Sequence, residues 1–170
     1  MSETNGMVET ATGDPAERLA AFVAGAGIDA EVLFPDGPTA TVAEAAATLD
    51  VPPTRIVKSL LFASQGGEYL LVVACGEAKI DRQRLAEVAG LPKLKLASPA
   101  TVLAVTGCAV GGMPPVGHGE TLPVIVDRAV LAEPMVYGGG GRIDAVLRIL
   151  PDDIVRLNRA TLGEVTEAAK

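Results

Sequence analysis

The sequence predicts an α+β fold in which helices flank a mixed, mostly antiparallel, barrel-like sheet. Two β-rich runs, residues 55–64 and 68–75, are joined by Gln65-Gly66-Gly67, which is typical of a hairpin. Further strands follow one another without helices between them, whereas a doubly wound parallel fold needs strict alternation of strand and helix. These further strands are predicted at residues 123–127, 135–137 and 142–149, with shorter ones at 30–34 and 93–96.

Capping residues mark where the predicted helices begin. Asp14, Asp81 and Ser98 are N-cap candidates, and Thr41 with Glu44 forms a capping box. A last helix begins at Pro151-Asp152-Asp153, and a short helical turn is predicted near residues 162–168. In chain order, the helices are expected to end at residues 25–27, near 50, at 90, near 105 and at 157.

Length and composition indicate one globular domain. Of the 170 residues, 49% are hydrophobic, which is enough for a sizeable core. We expect residues 1–13 to form a disordered tail and residues 14–170 to form the domain. The formal net charge of −7 argues against a protein that coats nucleic acid along a basic face. It leaves room for a site that holds a single phosphodiester or a nucleic-acid end.

Metal, membrane and export signals are weak in this sequence. Two well-separated cysteines, Cys75 and Cys108, and one histidine are too few for a structural zinc site. The N-terminus lacks the apolar segment of a secretory signal, and no uncharged run is long enough to span a bilayer. We therefore expect a cytoplasmic protein with no metal, no cofactor and no membrane partner.

The segment from Gly111 to Gly119 concentrates residues that control backbone conformation. It holds four glycines, two prolines and the chain's one histidine, His118. Glycine allows close backbone approach to a ligand, while proline restricts the backbone. Most such clusters are surface connectors, so this interpretation competes with that of a ligand cradle.

Lys58 interrupts an apolar strand. In an extended strand it shares a face with Ile56, Leu60 and Phe62. A lysine there is either an edge-strand residue that discourages aggregation or a cation in a pocket that suits a phosphate. The sequence leaves both possibilities open.

Two other features are weaker candidates for chemistry. Tyr137 precedes four glycines, Gly138 to Gly141, but no helix and no Lys-Ser/Thr pair follows, so a wide hairpin is favoured over a phosphate-binding loop. His118 has no evident nucleophile or orienting carboxylate, and the Gly-x-Ser-x-Gly motif is absent. A hydrogen bond from His118 to a ligand and a structural role are both consistent with the sequence.

Three motifs together resemble the YbaK/ProX family. They are Thr41-Val42-Ala43-Glu44-Ala45-Ala46, Arg55-Ile56-Val57-Lys58-Ser59-Leu60-Leu61-Phe62 and Gly111-Gly112-Met113-Pro114-Pro115-Val116-Gly117-His118. Members are free-standing relatives of the editing domain of bacterial prolyl-tRNA synthetases, and the resemblance covers residues 15–168. It implies the YbaK-type editing fold and an aminoacyl-tRNA deacylase, which hydrolyses the ester between a wrong amino acid and the tRNA 3′ end.

The resemblance also assigns roles to individual residues. Lys58 matches the family's signature lysine, which binds and orients the 3′-terminal nucleotide. His118 matches a histidine present in part of the family, and Gly139 and Gly140 fall at a further substrate-facing loop. The family's glycine loop, whose amides face the aminoacyl carbonyl, is matched by Gly111, Gly112, Pro115 and Gly117.

Because an aminoacyl ester is already activated, its hydrolysis needs a positioned water molecule and an oxyanion site more than a strong nucleophile. Backbone amide donors can form the oxyanion site. In the family's mechanism the terminal ribose hydroxyl helps to activate water. We expect a small amino acid as substrate, the tRNA acceptor end as partner, and a synthetase or elongation factor as a further candidate partner. The alternatives are a catalytically silent module that binds aminoacyl-tRNA or a nucleotide, and a protein acting on a ligand other than tRNA.

Overall fold

The computed structural model describes residues 13–119 and 121–167. Its helices are α1 (Pro15–Ala26), α2 (Val42–Leu49), α3 (Arg82–Ala89), α4 (Pro99–Thr106) and α5 (Pro151–Asn158), with short 3-10 helices at Pro53–Arg55 and Arg128–Ala132. Its strands are β1 (Ala30–Leu33), β2 (Val57–Ala63), β3 (Tyr69–Cys75), β4 (Lys95–Leu96), β5 (Val124–Asp127), β6 (Val136–Gly139), β7 (Val146–Ile149) and β8 (Thr161–Gly163).

Within the described ranges, the strands form two sheets. The larger has the order β4-β2-β3-β5-β8, and the smaller has the order β1-β7-β6. The smaller sheet is antiparallel throughout, while β5 pairs in parallel with both β3 and β8. A parallel bridge between Ile56 and Tyr137 links the two sheets without closing them into a barrel. The fold is therefore α+β with a mixed sheet, as predicted.

The larger sheet is covered on both faces because its strands are apolar at successive positions. Leu71 and Val73 face the main core, which also receives residues of α1, α4, α5 and the smaller sheet. Leu70 and Val72 face a second cluster that includes Leu85 of α3. This alternation follows from the two-residue period of an extended strand.

The predicted caps are confirmed. The Asp14 carboxylate accepts a hydrogen bond from the Glu17 N–H at 3.0 Å, and Thr41 and Glu44 form the reciprocal capping box. Asp81 and Ser98 cap α3 and α4. Such bonds satisfy amide groups that a helix leaves free at its first turn.

No helix in the described part of the chain has both the length and the apolar character needed to cross a bilayer.

The short helical turn predicted near residues 162–168 is wrong, because a strand begins there instead. Residues 161–163 form β8, which pairs in parallel with β5, and Thr166 bridges Ile80. The local sequence contains helix-forming residues, but the exposed edge of β5 offers backbone hydrogen bonds that override a weak local preference. The strand predicted at 142–149 is also shorter, because a turn occupies residues 142–145. The predicted tail lies outside the described residues, except for Gly13.

Candidate functional site

A cavity of about 250 Å³ lies beside β2. It lies along the part of β2 between Ile56, which bridges to β6, and Phe62, where the pairing with β4 begins. Its walls are the start of α2, the segment after α4, and β6. Its described lining residues include no carboxylate, and Lys58 is the charged residue among them. The lining comprises Thr39–Val42, Ala45, Leu49, residues 56–61, Leu96, Ala97, Val102, Val110, Gly111, Met113, residues 137–139, Ala145 and Val146.

Lys58 lines this cavity, on the stretch of β2 that neither β4 nor β6 pairs with. It is half-buried, and its Nζ donates a hydrogen bond to the Ala78 carbonyl at 2.5 Å. Burial lowers the pKa of Lys58 from its ordinary value of 10.5, and the electrostatic effect of Cys75 opposes part of that change. The side chain thus places a cationic group in a largely aliphatic pocket, which favours an anionic or strongly polar ligand group.

Gly111 lines the cavity at the tip of a turn. The Gly112 N–H donates to the Ala109 carbonyl at 3.0 Å, which closes a β-turn with Gly111 at its third position. Gly111 has a φ of 93°, and a turn of type II requires a positive φ there. Within the described residues the Gly111 N–H makes no hydrogen bond, so it is the amide of this turn that a ligand can use.

Both backbone polar groups of Gly112 are already hydrogen-bonded within the protein. Its N–H is engaged by Ala109, and its carbonyl accepts from the Gly141 N–H at 2.8 Å. A Cβ at this position would lie 2.9 Å from the carbonyl carbon of Arg142. Gly112 is buried, is absent from the cavity lining, and lets two backbone segments pack closely. It therefore holds the turn and donates nothing to the cavity.

The four glycines after Tyr137 form the end of a hairpin, as predicted. Gly138 and Gly139 belong to β6, and Gly139 lines the cavity. Gly140 does not line it: its N–H bonds to the Ala145 carbonyl, and a Cβ would lie 2.5 Å from Ala145 and Val146 backbone atoms. The surroundings of Gly140 are therefore backbone, and its contact with substrate stays a prediction.

Pro115, Gly117 and His118 also lie outside the cavity lining. The Pro115 carbonyl accepts from Asn158 Nδ2 at 2.8 Å, and Gly117 packs beside Leu19 of α1. These two residues secure the loop to α5 and α1. In this structure all three residues contact other parts of the protein, and their contacts with substrate stay a prediction.

The geometry of His118 favours a structural role over a hydrogen bond to a ligand. Its Nε2–H donates to the Pro114 carbonyl at 2.6 Å, four residues earlier in the same loop. Burial lowers the pKa of His118 from 6.5, and the hydrogen bond to Pro114 offsets part of that effect. At neutral pH the ring is uncharged and closes the loop upon itself.

Sequence reasoning missed several lining residues, of which Ser59 is the most informative. Its hydroxyl is buried and has no hydrogen-bond partner among the described residues. Such a group costs roughly 1–3 kcal/mol if nothing satisfies it. The available signal was a serine directly beside Lys58 in an otherwise apolar strand. Thr39, Thr41, Met113 and Tyr137 were missed because chain segments far apart in sequence bring them together.

A model of the aminoacyl-tRNA editing domain matches residues 36–157, more than half of the chain. The uncharacterized protein YwhH of Bacillus subtilis (strain 168) is 34% identical over 116 residues, which are 68% of this chain and 73% of that protein. The proline–tRNA ligase of Geobacillus thermodenitrificans (strain NG80-2) is 37% identical over 92 residues, which are 54% of this chain and 16% of the ligase.

Solved structures resemble this chain in both fold and sequence. The hypothetical protein APE2540 has a TM-score of 0.83 at 36% identity, covering 88% of this chain and 99% of that one. A proposed trans-editing enzyme for prolyl tRNA synthetase has a TM-score of 0.81 at 32% identity, covering 92% and 99%. The segment matched by the family model contains the whole described cavity lining, from Thr39 to Val146, and the chain therefore belongs to the aminoacyl-tRNA editing domain family.

Proposed function

We propose that this chain is a trans-editing deacylase that hydrolyses the ester joining a small amino acid to the 3′ end of a mischarged tRNA. The observation that carries the proposal is the position of Lys58 in an aliphatic cavity that also contains the Gly111 turn. Membership of the editing family supports the reaction class. The partner is the acceptor end of aminoacyl-tRNA, and a synthetase or elongation factor could deliver it in the cytoplasm.

In the proposed mechanism, Lys58 holds the terminal nucleotide while the Gly111 N–H faces the ester carbonyl. Water adds to that carbonyl, the ribose hydroxyl beside the ester assists removal of the water's proton, and the ester C–O bond breaks. The products are the free amino acid and the tRNA 3′ end with its hydroxyl restored. One well-placed amide donor to the oxyanion contributes roughly 3–4 kcal/mol to transition-state stabilisation.

The size of the cavity supports a small aminoacyl group such as alanyl, seryl, cysteinyl or threonyl. Its volume of about 250 Å³ lies below the range of about 300–1,000 Å³ typical of drug-sized ligands. One methylene changes binding in an apolar pocket by about 1–3 kcal/mol, so exclusion by size would discriminate modestly per carbon.

The test is the release of amino acid from a panel of mischarged tRNAs by wild-type protein and by Lys58→Met. Methionine keeps most of the apolar stem of lysine but removes the charge and the three donors. We expect kcat/KM to fall about tenfold or more, since a hydrogen bond to a charged group contributes roughly 1.5–3 kcal/mol. Circular dichroism should show that the variant remains folded.

Lys79→Met is the matched control, because Lys79 is exposed and does not line the cavity. Its kcat/KM should stay within about twofold of wild type, as expected for an exposed surface substitution. Tight binding of aminoacyl-tRNA without release would instead identify a silent binding module. Equal turnover by wild type and Lys58→Met would show that Lys58 does not contribute to the reaction.

A further inference from the structure

The polar side chains of the cavity differ in whether the protein already satisfies them. The Thr39 hydroxyl donates to the Ile143 carbonyl at 3.1 Å, and the Thr41 hydroxyl accepts from the Glu44 N–H at 3.1 Å. Lys58 bonds to Ala78, as described above. The Ser59 hydroxyl is the buried one without a partner among the described residues. Burial of an unpaired hydroxyl is unfavourable, so its position in a residue that lines a cavity points to a ligand partner.

The backbone N–H and C=O of Ser59 lie on the edge of β2 that faces away from β3. The Ile56 carbonyl accepts from Gly76, and the Ser64 N–H donates to Glu68, so even-numbered residues of this run bond toward β3. The Leu61 carbonyl accepts from Ala97 on the opposite edge. Peptide groups alternate along an extended strand, and the N–H and C=O of Ser59 therefore face the Leu61 edge.

No strand covers that edge at Ser59 within the described residues. The pairing of β2 with β4 involves Phe62 and Ala63, and the bridge to β6 is at Ile56. Ser59 lines the cavity, brings an N–H and a carbonyl to this open edge, and carries its buried hydroxyl beside them. Two of these three groups can accept a hydrogen bond.

The charge of the cavity restricts what these acceptors bind. The described lining contains no carboxylate, and the Lys58 ammonium disfavours a second cation nearby. A free α-amino group has an ordinary pKa of about 7.7–8.0, and a neighbouring positive charge lowers it. A primary amine would therefore be bound in its neutral form, with N–H groups that need acceptors.

We propose that the carbonyl and hydroxyl of Ser59 bind the neutral α-amino group of the aminoacyl moiety. This inference rests on the proposed function, because it identifies the part of that substrate which Ser59 contacts. Ser59 is then a substrate-binding residue that positions the ester for the Gly111 turn, and the cavity selects aminoacyl esters over simple acyl esters.

The test compares wild type with Ser59→Ala on two substrates, alanyl-tRNA and tRNA esterified with propionate, which is alanine without its amino group. For wild type we expect kcat/KM to be about tenfold higher on the alanyl ester, in keeping with one or two hydrogen bonds. The substitution should abolish most of this preference and leave the propionyl ester within about twofold of wild type, because it lacks the contacting group.

Two further measurements separate binding from a structural role. The Tm of Ser59→Ala should equal or exceed that of wild type, because the substitution removes an unsatisfied buried hydroxyl. Ser64→Ala is the matched control: its hydroxyl bonds to Glu68 in the hairpin turn outside the cavity lining, so both substrates should react as with wild type.

A third measurement needs no variant. With wild type, KM for the alanyl ester should fall as pH rises through the pKa of its amino group, and KM for the propionyl ester should not follow it. Titration of Lys58 affects both esters alike and cancels in the comparison.

Each other outcome is decisive. Equal losses on both esters, no loss on either, or matching pH profiles would overturn the assignment of the amino group to Ser59. Failure of wild type to release any amino acid from the mischarged panel would instead reject the proposed deacylase function itself.

Discussion

Burial determines the protonation behaviour of Lys58 and His118, two residues that the sequence singled out. Both pKa values are lowered because the charged form loses hydration. Their surroundings nevertheless differ: Lys58 reaches a cavity, whereas His118 donates to a carbonyl within its own loop. The same physical effect therefore accompanies a position in the cavity lining in one case and a hydrogen bond within a loop in the other.

His118→Gln tests the structural role through pH. Because the pKa of folded His118 is below 6.5, the unfolded chain binds the proton more readily, and stability is lost as pH falls from 6.5 through the lowered pKa. Wild type should lose more free energy of unfolding than the variant over this interval, and the two should run parallel above about pH 7.5.

Urea unfolding at several pH values provides the measurement for His118→Gln. Since His118 is the one histidine in the sequence, no other imidazole contributes to the difference. Parallel stability curves across the whole pH range would show that His118 is not buried in its neutral form.

At the scale of elements, the two glycine-rich segments support each other. The carbonyl of Gly112 accepts from Gly141, and the backbone of Gly139 lies against Met113. The backbone of the β6–β7 hairpin thus packs against the segment that carries the Gly111 turn and supports it. Glycine is required where one backbone approaches another, because a Cβ would occupy the space between them.

Gly140→Ala tests this close backbone packing, and Gly25→Ala is the comparison because Gly25 lacks such contacts. A Cβ at Gly140 would lie 2.5 Å from the Ala145 carbonyl carbon, and we expect a loss of roughly 1–3 kcal/mol from overpacking. Gly25 lies inside α1 with nothing within 4 Å, so Gly25→Ala should stabilise the protein by about 0.5–1 kcal/mol. Thermal unfolding would measure both, and stabilisation by Gly140→Ala would contradict the observed packing.

At the scale of the whole molecule, Asp127 attaches the chain after α5 to the larger sheet. Its side chain is 2% exposed, and its carboxylate accepts from the Val165 N–H at 2.8 Å and from the Thr166 hydroxyl at 3.3 Å. It also accepts from the Ala129 N–H at the start of the 3-10 helix after β5. One carboxylate therefore joins segments 38 residues apart in sequence.

Asp127→Ala should lower the free energy of unfolding by roughly 2–4 kcal/mol, because it leaves buried donors without their charged acceptor. Asp36→Ala is the control: Asp36 is exposed in a loop, and its removal should change stability by less than about 0.5 kcal/mol. Midpoints of urea unfolding provide the comparison. Similar midpoints for the two variants would show that the Asp127 contacts contribute little to folding.

The sequence by itself determined the local features: the capping residues, the hairpin between β2 and β3, the α+β class and the place of Lys58 within an apolar strand. These depend on hydrogen bonds and periodicities within a few residues of chain. Tertiary structure decided that residues 161–163 form a parallel strand. The reason is that strand pairing depends on backbone groups 36 residues away, from Ile125 to Thr161.

Tertiary structure also decided which members of the glycine loop face the cavity. Gly111 and Gly112 are neighbours of the same type, yet a turn engages the amide of Gly112 and leaves that of Gly111 without a partner in the described chain. Ser59 acquired its significance in the same way, from the gap between β4 and β6. Whether a polar group is satisfied depends on what distant segments bring to it, and spacing along the chain does not encode that directly.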